Sequence, residues 1–260
     1  MILISIKNLN KTYCEQSDFL SPKKNAQHVL KGINLDIKQG EIVSLVGESG
    51  CGKSTLANCI LKLITPEDGE ILFEGKNILK FDKKETFEYR KKIQMVFQNP
   101  YSSLNPKMKI KDTLEEPLII HNEKNRKEKI EEIISLVGLS KDDLKKYPHE
   151  FSGGQRQRIA IARALILKPK FIVADEPVSA LDVSISATII NLLLELREKL
   201  NLTILFISHD LNLVRYLSDK IAVMHKGEIV EFEKCYELFS NPKNEYTKYL
   251  ISSIREIKIN

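Results

Sequence analysis

The chain has 260 residues, 42% apolar and 29% charged, with a formal net charge of +5. That is ordinary for a soluble globular protein with a sizeable core in one large domain or two small ones, and it excludes low-complexity and disordered classes. The mild charge reads as solvated surface before it reads as a footprint of nucleic acid or acidic lipid.

Cys14, Cys51, Cys59 and Cys235 are scattered with no C-x-x-C pair. This argues against metal or iron–sulfur ligation and leaves reduced cytosolic thiols as the default. Met1–Ile6 is apolar but too short for a signal peptide and lacks a basic leader. No apolar run approaches the roughly 18 residues that a membrane span needs. Any work at a membrane would therefore require another chain to hold this one there.

In chain order, residues 2–8 and 33–38 read as strands, separated by a polar stretch at 14–28 that reads as a surface insertion. After a Gln39-Gly40 turn, the apolar run Ile42–Val46 reads as a buried strand ending at Gly47. Gly47, Glu48, Ser49, Gly50, Cys51, Gly52, Lys53, Ser54 and Thr55 then spell G-x-x-x-x-G-K-[ST], followed by an apolar-periodic helix predicted over 56–64. The glycines let successive backbone N–H groups face one phosphate chain, and the helix adds its positive dipole end. Lys53 supplies a point charge for the β- and γ-phosphates, and Ser54 a hydroxyl for Mg²⁺. The stretch predicts binding of a nucleoside triphosphate. Cys51, inside this loop at a helix N-terminus, is expected to be a reactive thiol that bound ATP protects. Cys59 reads as plain core.

Further along, strands are predicted at 69–75 and 93–97 and a helical block at about 105–165, where Ile130, Ile133, Ile134 and Val137 form one helical face. The alternating charges of 124–132 read as a solvated helix face and not a nucleic-acid patch. Strands return at 171–174 and 203–208 around a helix near 184–200. A hairpin turns at Lys226-Gly227, and the last 25 or so residues read as helical. Strand–helix alternation interrupted by an all-helical block predicts an α/β core with an inserted helical subdomain.

Asp175 and Glu176 close the strand run Phe171–Ala174, on the carboxyl-end rim where open α/β sheets bind ligands. Alternate strand side chains point opposite ways, so the two carboxylates are expected to divide the work. Asp175 suits the Mg²⁺ shell and Glu176 a general base that polarises water. Ser152 and Gln155 form an S-x-x-Q capping box, but Gly153 and Gly154 between them cost helix stability. Close approach of a second phosphate would explain them, with two copies each completing the other's site. Ser208-His209-Asp210 invites a hydrolase-triad reading, which the lack of a G-x-S-x-G turn rejects.

Phe151-Ser152-Gly153-Gly154-Gln155 resembles the Leu-Ser-Gly-Gly-Gln signature of ABC transporter ATPases. The resemblance covers essentially the whole chain. It implies a P-loop ATPase core with an N-terminal antiparallel β subdomain and the inserted helical subdomain, as one domain over 1–255 with a tail at 256–260. By the same resemblance Tyr13 stacks on adenine, Gln98 links Mg²⁺ to the membrane-contacting helical subdomain, and Ser179-Ala180-Leu181-Asp182 reaches across a dimer. His209 holds the γ-phosphate. Gln98–Pro106, Tyr147–Ser152 and Ala174–Ser184 look like importer ATPases of the peptide and nickel class, and the insertion after Tyr13 is similar to that of the F-type ATPase in oligopeptide and dipeptide systems. Asn244-Glu245-Tyr246-Thr247 departs from that subfamily's His-Pro-Tyr-Thr, and the tail is short, as in nickel systems.

The implied machine holds two ATP·Mg between this chain and a D-type partner ATPase, or a second copy of itself. It pulls on two membrane permease subunits through the region of Gln98–Pro106, at the cytoplasmic face of the membrane. An extracytoplasmic binding protein serves it and nucleic acid does not. A soluble ABC-type ATPase acting on DNA or ribosomes is the rival class, and such proteins usually carry coiled coils or paired cassettes that are not present here.

Overall fold

The computed structural model describes residues 1–14, 26–98 and 103–253. Most of the polar insertion, residues 99–102 of the stretch after Gln98, and the tail lie outside them. The chain divides into two compact units, residues 1–86 with 206–260, and residues 87–205.

The first unit opens with β1 (Ile2–Cys14) and β2 (Ala26–Lys38), antiparallel, with Ile4 opposite Ile37 and Ile6 opposite Leu35. On β2, buried Ile33, Leu35 and Ile37 alternate with exposed Asn34, Asp36 and Lys38, which puts one face on a core. Both strands outrun the predicted 2–8 and 33–38. Where the ladder shifts register, side chains bridge it: Asn34 Oδ1 accepts from Asn8 N (3.0 Å) and Asn10 Oδ1 from Gly32 N (2.9 Å). Next come β3 (Ile42–Val46), buried throughout, and α1 (Lys53–Ile60). The helix stops four residues short of the expected 64 because Lys62 turns left-handed, at φ +54°, and Leu63 N closes the end on Asn58 O (2.9 Å). β4 (Asp68–Phe73) and β5 (Lys76–Asn77) complete a four-stranded sheet of order β2-β1-β4-β5. The helix α2 (Lys83–Lys92) escaped the periodicity reading because Tyr89 is its one buried side chain.

In the second unit, β6 (Ile93–Val96) leads into the helical block: α3 (Ile110–Ile120), α4 (Arg126–Leu136) and α5 (Gly153–Leu165). Ile130, Ile133 and Ile134 form the buried face of α4, as their spacing requires. β7 (Phe171–Asp175) pairs parallel with β6, Val96 opposite Ala174. The helix α6 (Val183–Leu200) follows, and the chain crosses back to the first unit within β8 (Thr203–Ile207).

There Asp210 caps α7 (Leu211–Leu217), its Oδ1 accepting from Asn212 N (2.9 Å) and Leu213 N (3.3 Å), so the aspartate of Ser208-His209-Asp210 serves a helix end and no triad. β9 (Lys220–His225) runs parallel to β3, with Leu45 opposite Ala222, and forms a hairpin with β10 (Glu228–Lys234). Lys226 and Gly227 both have positive φ at the turn, as a tight two-residue hairpin needs. α8 (Cys235–Ser240) and α9 (Glu245–Ser252) end the described chain. Parallel pairs under helices, an antiparallel sheet and a helical block make this the α/β architecture that the motifs implied.

Candidate active site

The phosphate-type loop joins β3 to α1, and the first unit's own packing dictates its glycines. At Gly47, φ +151°, a Cβ would stand 2.1 Å from Met224 O on β9. At Gly52, φ +111°, it would stand 2.9 Å from Val29 O on β2. Gly50, φ +79°, faces open space, so only backbone conformation asks for glycine there. Lys53 is 8% exposed and its Nζ donates to Gly47 O (2.7 Å) and Glu48 O (2.8 Å). One buried positive charge thus sits inside a loop whose helix adds its N-terminal amides, an arrangement with affinity for an oligophosphate.

The loop is tied from outside as well. Gly227 N donates to Cys51 O (3.1 Å), and Glu48 N to the Tyr246 hydroxyl (3.0 Å). Ser49 and Ser54 are exposed and Thr55 half-buried. Cys51 is 7% exposed, which leaves its thiol less accessible than the expectation of a reactive one assumes. Cys59 is core, and burial pushes its thiol up to about 12. Ser208 N donates to Leu45 O (3.4 Å), so β8 ends beside β3 and delivers His209, exposed, to the same rim. Tyr13, on β1, is 42% exposed with Lys11 Nζ 5.3 Å from its ring centre.

The second unit gathers the other polar groups. Gln98 lies two residues beyond β6, and Asp175 and Glu176 lie at the end of the neighbouring β7. Gln98 Nε2 donates to Glu176 Oε2 (2.9 Å), joining two residues 78 apart in sequence. Strand alternation is not what separates the carboxylates. β7 ends at Asp175, and Glu176 turns left-handed, at φ +45°, a conformation that costs a bulky residue of order 1–3 kcal/mol. Its carbonyl accepts from Ser179 N (3.2 Å) and Ser179 Oγ (3.1 Å), which hold the turn. A carboxylate in an imposed backbone conformation, oriented by an amide donor, is suited to polarise a water molecule.

Ser152 caps α5 as expected: its Oγ accepts from Gln155 N (3.3 Å) and its N donates to Gln155 Oε1 (3.0 Å). Gly153 and Gly154 have a reason inside the chain. A Cβ on Gly154 would stand 2.5 Å from Ile185 Cγ2, and one on Gly153 3.2 Å from Leu181 Cδ2. The bare backbone lets residues 152–155 lie against the segment carrying Asp182. That residue begins α6 without capping it by its side chain and remains exposed.

What the motifs missed are the supports: Tyr246 on the loop amide, the Gly227 turn on Cys51, and the Ile185 methyl under Gly154. No local signal marks any of them.

Residues 30–179 match the ABC transporter family. The chain is 48% identical over 258 residues to the oligopeptide transport ATP-binding protein OppF of Streptococcus mutans, covering 98% of this chain and 82% of that protein. It is 49% identical over 258 residues to the dipeptide transport ATP-binding protein DppF of Lactococcus lactis, covering 97% and 81%. The solved dimeric ATP-binding cassette MJ0796, in a post-hydrolysis state with ADP and Pi, superposes with a TM-score of 0.76 at 34% identity over 90% of this chain and 99% of that one. The structure of cbiO1 from Clostridium perfringens, part of the transporter complex cbiONQ, gives 0.80 at 29% identity over 92% and 91%. With its loop, strand-end carboxylate and capped glycine helix on that fold, the chain belongs to the ABC transporter family, as one of its ATP-hydrolysing cassettes.

Proposed function

We propose that this ATPase drives import of oligopeptides or dipeptides. The observation that carries the reading is the 48–49% identity, along nearly the whole chain, to ATP-binding proteins of oligopeptide and dipeptide transport. Those relatives favour peptide over the nickel cargo that the subfamily resemblance left open. Among the described residues no helix is long and apolar enough to cross a membrane, so two permease subunits would hold the chain at the cytoplasmic face. A D-type ATPase or a second copy would face it, and an extracytoplasmic binding protein would deliver cargo.

Within the single cassette of 1–255, Tyr13 stacks on the adenine while residues 47–55 wrap the phosphates and Lys53 neutralises them. Ser54, Gln98 and Asp175 offer a hydroxyl, an amide oxygen and a carboxylate, all hard oxygen donors that suit Mg²⁺. When bound there, Mg²⁺ would neutralise charge on the β- and γ-phosphates. Glu176, steadied by Gln98, polarises the attacking water, and His209 holds the γ-phosphate. Ser152, Gly153, Gly154, Gln155 and Asp182 complete the site of the facing subunit. Closure is then a two-state shift driven by contacts that exist only while ATP bridges both chains.

The test is reconstitution with permeases, partner ATPase and binding protein in vesicles. Peptide should raise ATP turnover and accumulate inside. Turnover that ignores peptide but responds to nickel, or to nucleic acid, would overturn the reading.

A further inference from the structure

The last helix of the described chain is anchored by a buried carboxylate. Glu231 on β10 is 8% exposed, and its two oxygens accept from Lys243 N (2.9 Å) and Asn244 N (3.0 Å). Burial raises the Glu231 pKa, but those backbone donors, with Thr247 and the Lys243 charge, together outweigh it and leave the carboxyl below its ordinary range. Asn244 then caps α9 by accepting from Tyr246 N (2.8 Å), and Thr247 is fully buried. This places the Tyr246 ring against His225, centroids 3.9 Å apart and planes 29° apart. From there its hydroxyl reaches Glu48 N.

Glu48 N belongs to the same peptide group as Gly47 O, the acceptor of Lys53 Nζ. A trans peptide is planar, with its oxygen and its hydrogen on opposite sides. This one rigid plate is therefore gripped on one side by the loop lysine and on the other by the tyrosine hydroxyl. Turning the plate would break both bonds and move Lys53.

We propose that Tyr246 is a positioning residue for ATP binding, its hydroxyl setting the Gly47–Glu48 peptide and through it the Lys53 ammonium. The proposal rests on the reading of residues 47–55 as the nucleotide's phosphate site. Tyr246 does not touch nucleotide in this role. It sets the first turn of the loop before nucleotide arrives, so its removal weakens affinity more than the chemical step.

Tyr246→Phe keeps the ring and its stacking and removes only the hydroxyl. In the full-length protein, dissociation constants for ATP and ADP should rise about threefold to tenfold, the range of one net hydrogen bond. In the assembled transporter, KM for ATP should rise by a larger factor than kcat falls. The Glu48 amide should exchange its hydrogen faster in the nucleotide-free protein, while the thermal midpoint stays near wild type. Unchanged nucleotide affinity would overturn the proposal, and so would weaker affinity with unchanged Glu48 exchange. Lys53→Ala separates the two readings. Loss of nucleotide binding there, with Tyr246→Phe like wild type, sinks only the tyrosine role; normal binding there sinks the phosphate site and the proposal with it.

Discussion

Gly154→Ala asks why the signature helix carries glycine at its second position. The added Cβ would stand 2.5 Å from Ile185 Cγ2, against about 3.5–4.0 Å for an ordinary carbon contact. One of the two must therefore move by about 1 Å. Ile185 is β-branched, in the first turn of α6, so its methyl cannot swing aside by a free rotation. Overpacking of this kind costs about 1–3 kcal/mol, against about 1 kcal/mol gained by replacing glycine within a helix. The net expectation is a loss of up to about 2 kcal/mol, or roughly 2–4 °C in thermal midpoint per kcal/mol at this chain size. In an Ile185→Ala background the obstructing methyl is gone, and the same substitution should instead stabilise by about 1 kcal/mol. Thermal or urea unfolding of the four proteins of this double-mutant cycle reads the sign change directly. Equal effects of Gly154→Ala in both backgrounds would refute packing as the reason for the glycine. ATP turnover in the assembled transporter then reads the second role: a stable double variant that stays inactive shows that the partner's nucleotide also needs a bare backbone there.

Glu176→Gln should lower kcat at least about 100-fold while ATP still binds, since an amide cannot take the proton; normal hydrolysis beside the proper partner would remove Glu176 from the role of base. Gln157 is fully buried on α5, and among the described residues neither its Nε2 nor its Oε1 has a hydrogen-bond partner. Gln157→Met should therefore stabilise by about 1 kcal/mol in urea unfolding, and a loss would show that the amide is satisfied. The Lys129 and Lys91 ammonium groups draw the Glu123 carboxyl from an ordinary 4.5 down to about 2. A carboxyl depressed in the folded state adds stability above its unfolded value and loses it as pH falls through the folded one. The advantage of wild type over Glu123→Gln should accordingly be full above pH 4.5 and shrink toward pH 2. An advantage independent of pH would contradict the pairing.

The amino-acid sequence alone determined those features whose cause is local. The G-x-x-x-x-G-K-S loop after an unbroken apolar run, the isoleucine face of α4 and the Ser152–Gln155 cap could all be read directly, because neighbours within a turn or a strand create them. Tertiary structure decided which residues support them. Asn10 falls outside the strand that periodicity marks until its side chain, like that of Asn34, is seen bridging the ladder, and α2 carries almost no apolar stripe because Tyr89 alone anchors it. Gln98 meets Glu176 across 78 residues, and Glu48 meets Tyr246 across 198. No period of 2 or 3.6 encodes such pairs. They arise when parallel strands bring their carboxyl ends to one rim and β10 docks the last helix beside the loop, so only the folded chain reveals them.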